Sequence, residues 1–292
     1  MEGLKNLSKE QLHKILAALV LSDGHLYKHK GKPRSIRLST SHFGEDQHRL
    51  FRYLCYELFG KDIKTRKSTA PSSKQRLLIS TFNSVKFVPT LYSLCPEYNT
   101  TPGKLSKAEF LKIPQPNLQF ILNETKELQW LFLRTYFDFD GSISPSIKLK
   151  HKLDKKGQRV YEYYQVQFEC EIKISETNPS LVKDLILLCT QLGLSAKMKR
   201  DNRNWSEISG ICITQRESVR KFLDQGGPIT KVKVSGKSNR FKGISKIKIC
   251  KFLNKLIQDE KIIWSKSFSN KNDALEYQEK VNKFLVKLIK KE

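Results

Sequence analysis

Two nine-residue stretches hold the residues with the clearest chemical potential. LAALVLSDG runs from Leu16 to Gly24, and LRTYFDFDG runs from Leu133 to Gly141. Each is an apolar, helix-patterned run whose last turn delivers an aspartate, Asp23 or Asp140, directly before a glycine. Carboxylate oxygens are the ligands that hard divalent cations such as Mg²⁺ prefer, alongside retained waters. A single Asp-Gly at a helix end is an ordinary helix stop. Two copies 117 residues apart (140 − 23), each opening a block of the same element order, are not.

The elements around them read as follows. Ser8 to Gln11, SKEQ, is a capping-box pattern, and Leu12, Ile15, Leu16, Leu19 and Val20 recur at helical spacing. A β-like segment follows over 26–41, broken at Gly31-Lys32-Pro33. A helix is expected over 45–59, ending at Gly60. Strands are expected over 63–67 and 76–82 around a Thr-Ala-Pro-Ser-Ser turn, then a helix near 84–94. Residues 96–124 read as a linker rich in Pro, Asn and Thr. The order then repeats: a helix over about 125–139, a longer hairpin turning near 154–157, a helix over 179–192, strands near 196–200 and 208–214, and a helix near 217–224. The fold class is α+β, with pseudo-symmetric αββαββα halves at 1–95 and 125–242. Residues 243–292 form a C-terminal extension of two Lys-rich helices.

Composition narrows the partners. The 292 residues carry 54 Lys and Arg against 29 Asp and Glu, a net charge of +25. A cut after Glu124 leaves 20 basic and 10 acidic residues before it, and 34 and 19 after it, so both halves share the excess. Such a surplus points to a polyanion, the alternative being a solvated Lys-rich surface. The six cysteines form no CxxC pair and no zinc spacing, and they read as small core residues in a reducing compartment. The apolar run 15–21 is too short to span a membrane and lacks a cleavage site. The expected location is the cytoplasm of a prokaryote or an organellar matrix, not the secretory route.

Both Asp-Gly stretches resemble the LAGLIDADG motif of homing endonucleases, and the resemblance covers roughly residues 8–240. It implies that the two motif helices pack together at the centre of the molecule, with Asp23 and Asp140 side by side at the bottom of the interface. It further implies metal binding by Asp23, Gly24, Asp140 and Gly141. The cofactor would be Mg²⁺, with Ca²⁺ or Mn²⁺ as substitutes in binding, because phosphodiester cleavage needs metal to activate water and to neutralise charge. Gly24 and Gly141 are expected to let the chain leave each helix in a left-handed turn. FLKIP, residues 110–114, resembles the Lys-Ile-Pro stretch before the second motif in related enzymes and implies a catalytic Lys112. GGPITKVKV, residues 226–234, resembles the segment returning to the cleft and implies Lys233, with Lys231 next to it. Alignment with the family puts His42 and Glu176 in the solvent pocket after each hairpin. The first motif has Leu21 where the second keeps Asp138. Phe139 stands where a small residue is common at the helix contact.

The resemblance also implies two antiparallel sheets forming a saddle over double-stranded DNA. Strand alternation would turn one face to the helices and the other to the duplex. The candidate DNA contacts are Lys28, Lys30, Arg34, Arg37, Arg66 and Arg76 in the first half, and Lys148, Lys150, Lys173, Lys197, Lys199 and Arg203 in the second. A monomer with no membrane partner is expected to make a site-specific double-strand break. The alternatives are an intron maturase that binds host intron RNA, or a DNA-binding regulator that lost cleavage. An intron-encoded origin is expected. No splicing-domain residues flank the motif helices, which argues against an intact intein.

The shared +25 charge generates a test. Affinity for duplex DNA should fall linearly in a log–log plot against salt, roughly 10³-fold or more between about 50 and 200 mM if six or more phosphates are neutralised. Titrations at several salt concentrations check it. A flat plot would remove the basic strands from the DNA face.

Overall fold

The computed structural model describes residues 2–69, 76–236, 241–258 and 265–291. The first half runs α1 (Lys9–Leu21), β1 (Gly24–His29), β2 (Lys32–Ser41), α2 (Glu45–Phe59), β3 (Thr65–Thr69) and β4 (Arg76–Asn83), and then a 3-10 helix at Val88–Ser93. A connecting stretch contains α3 (Lys107–Phe110) and α4 (Gln119–Leu122). The second half runs α5 (Lys126–Asp140), β5 (Gly141–Lys156), β6 (Arg159–Ile174), α6 (Pro179–Gln191), β7 (Ala196–Arg200), β8 (Ile208–Ile213) and α7 (Arg216–Asp224). The extension supplies α8 (Lys246–Gln258), β9 (Ser265–Phe268) and α9 (Lys271–Lys291).

Both sheets are antiparallel and share one strand order: β1-β2-β4-β3 in the first and β5-β6-β8-β7 in the second, with β9 paired to β6. The expected α+β repeat is therefore present. The element closing the first half is the short 3-10 helix, where an α-helix near 84–94 was expected. Pro89 near its start supplies no backbone N–H. Residues 70–73 of the expected Thr-Ala-Pro-Ser-Ser turn lie outside the described residues. The β1–β2 turn uses positive φ at both Lys30 (49°) and Gly31 (76°), the geometry that matches strand twist in a two-residue hairpin. Residues 96–124 are packed rather than loose, with Tyr98, Phe110, Leu118, Ile121 and Leu122 buried.

α1 and α5 pack together at the centre of the molecule. Every residue of α1 from Leu16 to Leu21 is buried, as is most of α5 from Leu128 to Phe139, so neither keeps a polar face. They run side by side in the same direction. Near their starts, the Lys14 ammonium sits 2.7 Å from Glu10 and 2.5 Å from Glu124, just before the Thr125 cap of α5. Near their ends, the Tyr136 hydroxyl lies 3.4 Å from the carbonyl of Leu21. Ser22 and Thr135 turn their hydroxyls onto their own helices, to Ala18 O at 2.9 Å and Leu131 O at 2.8 Å, so the closest contact is left to carbon. Phe139 is accommodated, with 7% of its surface accessible.

The extension is anchored to this core. β9 pairs with β6 over Tyr164–Gln167, while β8 pairs with β6 over Ile172–Ile174. α9 packs on β5 and β6, and the Gln278 amide donates to Ile147 O at 2.8 Å. The cysteines are free, five of them buried and Cys212 half-buried. Among the described residues no helix is long and apolar enough to cross a membrane.

The glycines after the motif aspartates act differently from expectation. Neither Gly24 nor Gly141 has a positive φ; Gly141 is extended at φ −85°, ψ 149°. Each strand instead starts directly against the last turn of its helix. A Cβ on Gly24 would stand 2.5 Å from Val20 Cα, and one on Gly141 would stand 2.3 Å from Phe137 O. The requirement is close backbone approach, not left-handed geometry. Gly141→Ala should therefore cost about 1–3 kcal/mol by overpacking, read as a lowered thermal midpoint. An unchanged midpoint would contradict this contact.

Candidate active site

Because α1 and α5 end together, Asp23 and Asp140 line one recess of about 480 Å³. Its walls include Ser39, Ser41, Ser142, Ser175, Gln47, Gly141, Lys233 and Lys246. Strand alternation buries Ile36, Leu38 and Thr40 in β2 and Ile143, Pro145 and Ile147 in β5. Ser39, Ser41 and Ser142 therefore belong to the outer faces of the two sheets, and the recess opens where those faces meet. Asp140 also lines a second recess of about 420 Å³ with Ser22, Lys173, Ser175, Glu176 and Asp201. Gly24 lines a third, of about 290 Å³, with His25, Tyr98 and Ile113.

The electrostatics are those of crowded negative charge. Burial, then the charges of Asp23 and Glu176, push the Asp140 carboxyl well above the usual carboxylate range. Burial also raises Asp23, and Lys246 partly offsets it. Asp23 keeps accessible surface, and Asp140 is half-buried. Glu176 is pushed up to about 7 by burial, against the backbone N–H groups of Asn178 and Thr177, both at 2.8 Å, and the Tyr136 hydroxyl at 2.7 Å. Asp138 is also pushed up to about 7 by burial. It accepts from the N–H groups of Ile229 and Thr230, each at 3.1 Å, and from the Thr230 hydroxyl at 3.1 Å. Asp138 is thus a clamp that ties the end of α5 to the segment carrying Lys233.

Two carboxylates that repel each other across an oxygen-lined recess suit a hard divalent cation, which would relieve the repulsion. Among the described residues no group of three or more His, Cys, Asp or Glu forms a closed metal cage, so waters or a bound phosphate would complete the coordination. The donor set fits Mg²⁺ or Ca²⁺ better than a thiolate- or imidazole-binding metal.

The structure brings Asp23, Asp140, Gly24, Gly141, Lys233 and Glu176 to these recesses. It does not bring His42 or Lys112 to the recess of the aspartates. His42 is exposed, lies tilted against Phe43 with ring centroids 4.0 Å apart, and lines a separate hollow with Lys67 and Arg76. The polar side chain lining the aspartate recess from the start of α2 is Gln47, buried, with its amide 3.1 Å from Asp138 O. Lys112 is exposed on the turn after α3, next to Ile113 of the third recess. Lys231 is exposed, and it does not line the first recess. Lys246 lies in the extension and was not expected. Its signal was a lysine in register with Ile249, Cys250, Leu253 and Ile257 on the buried stripe of α8.

Alternation also sorts the basic residues. In the second half Lys148, Lys150, Lys173, Lys197 and Lys199 all fall on the outer face, opposite inward Ile147, Phe168, Ile172 and Ile211. Three of them are held by glutamates: Lys148 and Lys150 by Glu169 at 2.7 and 2.8 Å, and Lys199 by Glu171. Arg203 is exposed in the loop after β7, paired to Asp201 at 2.6 Å. In the first half Arg37 and Arg66 face outward, and Lys30 sits in the exposed turn. Arg34 and Arg76 share parity with inward Ile36 and Leu78. Lys28 points to the helix side, 3.0 Å from Glu97 and over the Tyr92 ring, because it lies two residues after buried Leu26 and shares its face of β1.

Residues 127–227 match the family model of the LAGLIDADG-like domain. Over those residues, about a third of its length, the chain is similar to that domain. The matched segment runs from α5 to the end of α7 and contains Asp140; the half that contains Asp23 repeats its strand order. Similar solved structures include the homing endonuclease I-DmoI in complex with DNA and Mn, at 16% identity and a TM-score of 0.42, covering 75% of this chain and 97% of that one. The homing endonuclease I-WcaI, bound to its DNA recognition sequence, has 15% identity and a TM-score of 0.44, covering 75% and 81%. A mutant of I-SmaMI has 12% identity and a TM-score of 0.46, covering 85% and 92%. No curated protein of similar sequence was found.

The core around the two aspartates should show its buried charge in its pH dependence. Below about pH 4.5 Glu176 is protonated in the folded and unfolded chain alike. As pH rises through about 7 the unfolded chain loses its proton first, so stability falls across that window and stays low above it. Glu176→Gln keeps the shape and acceptor, and its amide can donate to the Tyr136 hydroxyl. The variant should match the parent near pH 4 and exceed it above pH 7, by up to about 3 kcal/mol at about 1.4 kcal/mol per unit. Denaturant titrations at both pH values check this; a variant less stable than the parent at pH 8 would refute it.

Proposed function

We propose that the protein is a single-chain homing endonuclease that cuts both strands of a long double-stranded DNA site with the help of a divalent metal. The observation that carries this reading is the pair of motif aspartates at the parallel ends of α1 and α5, sharing one recess that opens between two basic sheet faces. A two-stranded antiparallel ribbon fits a major groove, and the outward lysines of β5, β6 and β7 lie where phosphates and base edges would run. Their glutamate partners are exposed pairs of small worth, easily given up to phosphate.

Asp23 and Asp140 would hold the metal against the scissile phosphates, one half of the pseudo-symmetric site serving each strand. A divalent cation bound there supplies Lewis-acid stabilisation of phosphoryl charge and activates water. Lys233, exposed at the rim of the recess, would stabilise charge developing on the phosphate. Gln47 and Glu176, one on each side, would order the water that attacks. Both halves of the site come from one chain, so the active form is a monomer.

A plasmid library of randomised targets, digested with Mg²⁺ and sequenced at the cut ends, should return one long site with both strands broken. On that site Asp23→Asn and Asp140→Asn should each lower cleavage on the order of 100-fold or more while leaving Ca²⁺-supported binding intact. Full cleavage by both variants, or cleavage in the presence of chelator, would overturn the reading.

A further inference from the structure

Lys246 is the first residue of α8, and its environment is unusual for a lysine. Only 7% of its surface is accessible. Its backbone N–H donates to Val232 O at 2.8 Å, which fixes α8 against the strand-like segment holding Lys233. Its ammonium donates to two main-chain carbonyls at the end of α5, Phe137 O at 3.1 Å and Asp138 O at 2.9 Å. The Asp138 carbonyl also accepts the Gln47 amide from the first half at 3.1 Å. The end of α5 is therefore gripped from the first half and from the extension at one atom. Those carbonyls carry the negative end of the helix dipole, and α1 brings its own negative end to the same place. Asp23, Asp138 and Asp140 add three carboxylates, whose charges all act on Lys246.

Resting on the site reading given above, we propose that Lys246 is a positioning residue, a resident cation that holds Asp140 opposite Asp23 before metal and phosphate arrive. The C-terminal extension is then part of the active centre rather than an appendage. A neutral residue in its place would leave the gathered negative charge to the solvent and to whatever cation is bound. The ends of α1 and α5 would separate unless metal took over the role.

The test is thermal unfolding of the full chain, alone in EDTA and with Ca²⁺, for the parent, Lys246→Met, Asp140→Asn and the double variant. Lys246→Met should lose roughly 5 °C or more in EDTA. It should recover more of its midpoint in Ca²⁺ than the parent gains. Asp140→Asn removes a repelling charge, so the loss in the double variant should be smaller than the sum of the single effects, and its extra Ca²⁺ response should vanish. A lysine that merely fills space and caps carbonyls would give additive losses and equal Ca²⁺ shifts, and that result overturns the proposal. If Lys246→Met alone does not fold, a folded double variant supports it and an unfolded double variant overturns it. No step reads DNA cleavage. A parent that cuts nothing would defeat the nuclease reading and leave this cycle to be judged separately.

Discussion

Like charges brought together by parallel helix packing govern this molecule. α1 and α5 are buried over most of their length, which places them at the centre, and they run in the same direction. Two helix C-termini therefore meet, each with carbonyls lacking partners within the helix. Asp23, Asp138, Asp140 and Glu176 gather around that meeting point. The polar contacts nearby answer it: Lys246 and Gln47 on the α5 carbonyls, the Ile229 and Thr230 amides on Asp138, and Tyr136 on Glu176. The same crowding that strains the fold makes the recess a good host for a cation and a poor one for a bare phosphate.

The two halves share a strand order but not a reach. β1 and β2 have 6 and 10 residues, whereas β5 and β6 have 16 each. At about 3.4 Å per residue, the second ribbon extends far beyond the core that its own half can offer. β9 and α9 serve the side of that ribbon left open beyond β8. Any duplex lying across both outer faces would be touched over a longer span on the second side than on the first.

The sequence made the architecture readable where pattern and chemistry coincide. An apolar run ending in Asp-Gly, stated twice, located both motif helices and both aspartates, and helix caps and turn residues located most strands. What stayed hidden depended on three-dimensional coincidence. Gln47 and His42 are both polar residues near the start of α2, and only packing decides which one turns inward. Lys28 shares the inward face of Leu26, so a basic residue in a strand was not by itself a sign of the outer face. Gly24 and Gly141 look like helix stops, yet their lack of a side chain answers a contact with the preceding turn. Lys246 belongs to a segment outside the repeat, where the motif offers no guide.

The pairing of β9 with β6 also sets an order of events. Tyr164 meets Phe268 more than a hundred positions later in the chain, and Lys246 meets the Asp138 carbonyl across a separation of 108. Contacts that distant form late, because the intervening loop must close first. During synthesis the long ribbon emerges with this side of β6 open and stays so until Ser265–Phe268 have left the ribosome. An unpaired edge of that length invites pairing with another chain. The nascent protein is therefore most prone to aggregate in the interval before β9 arrives, and a chain cut short of β9 would stay in that state.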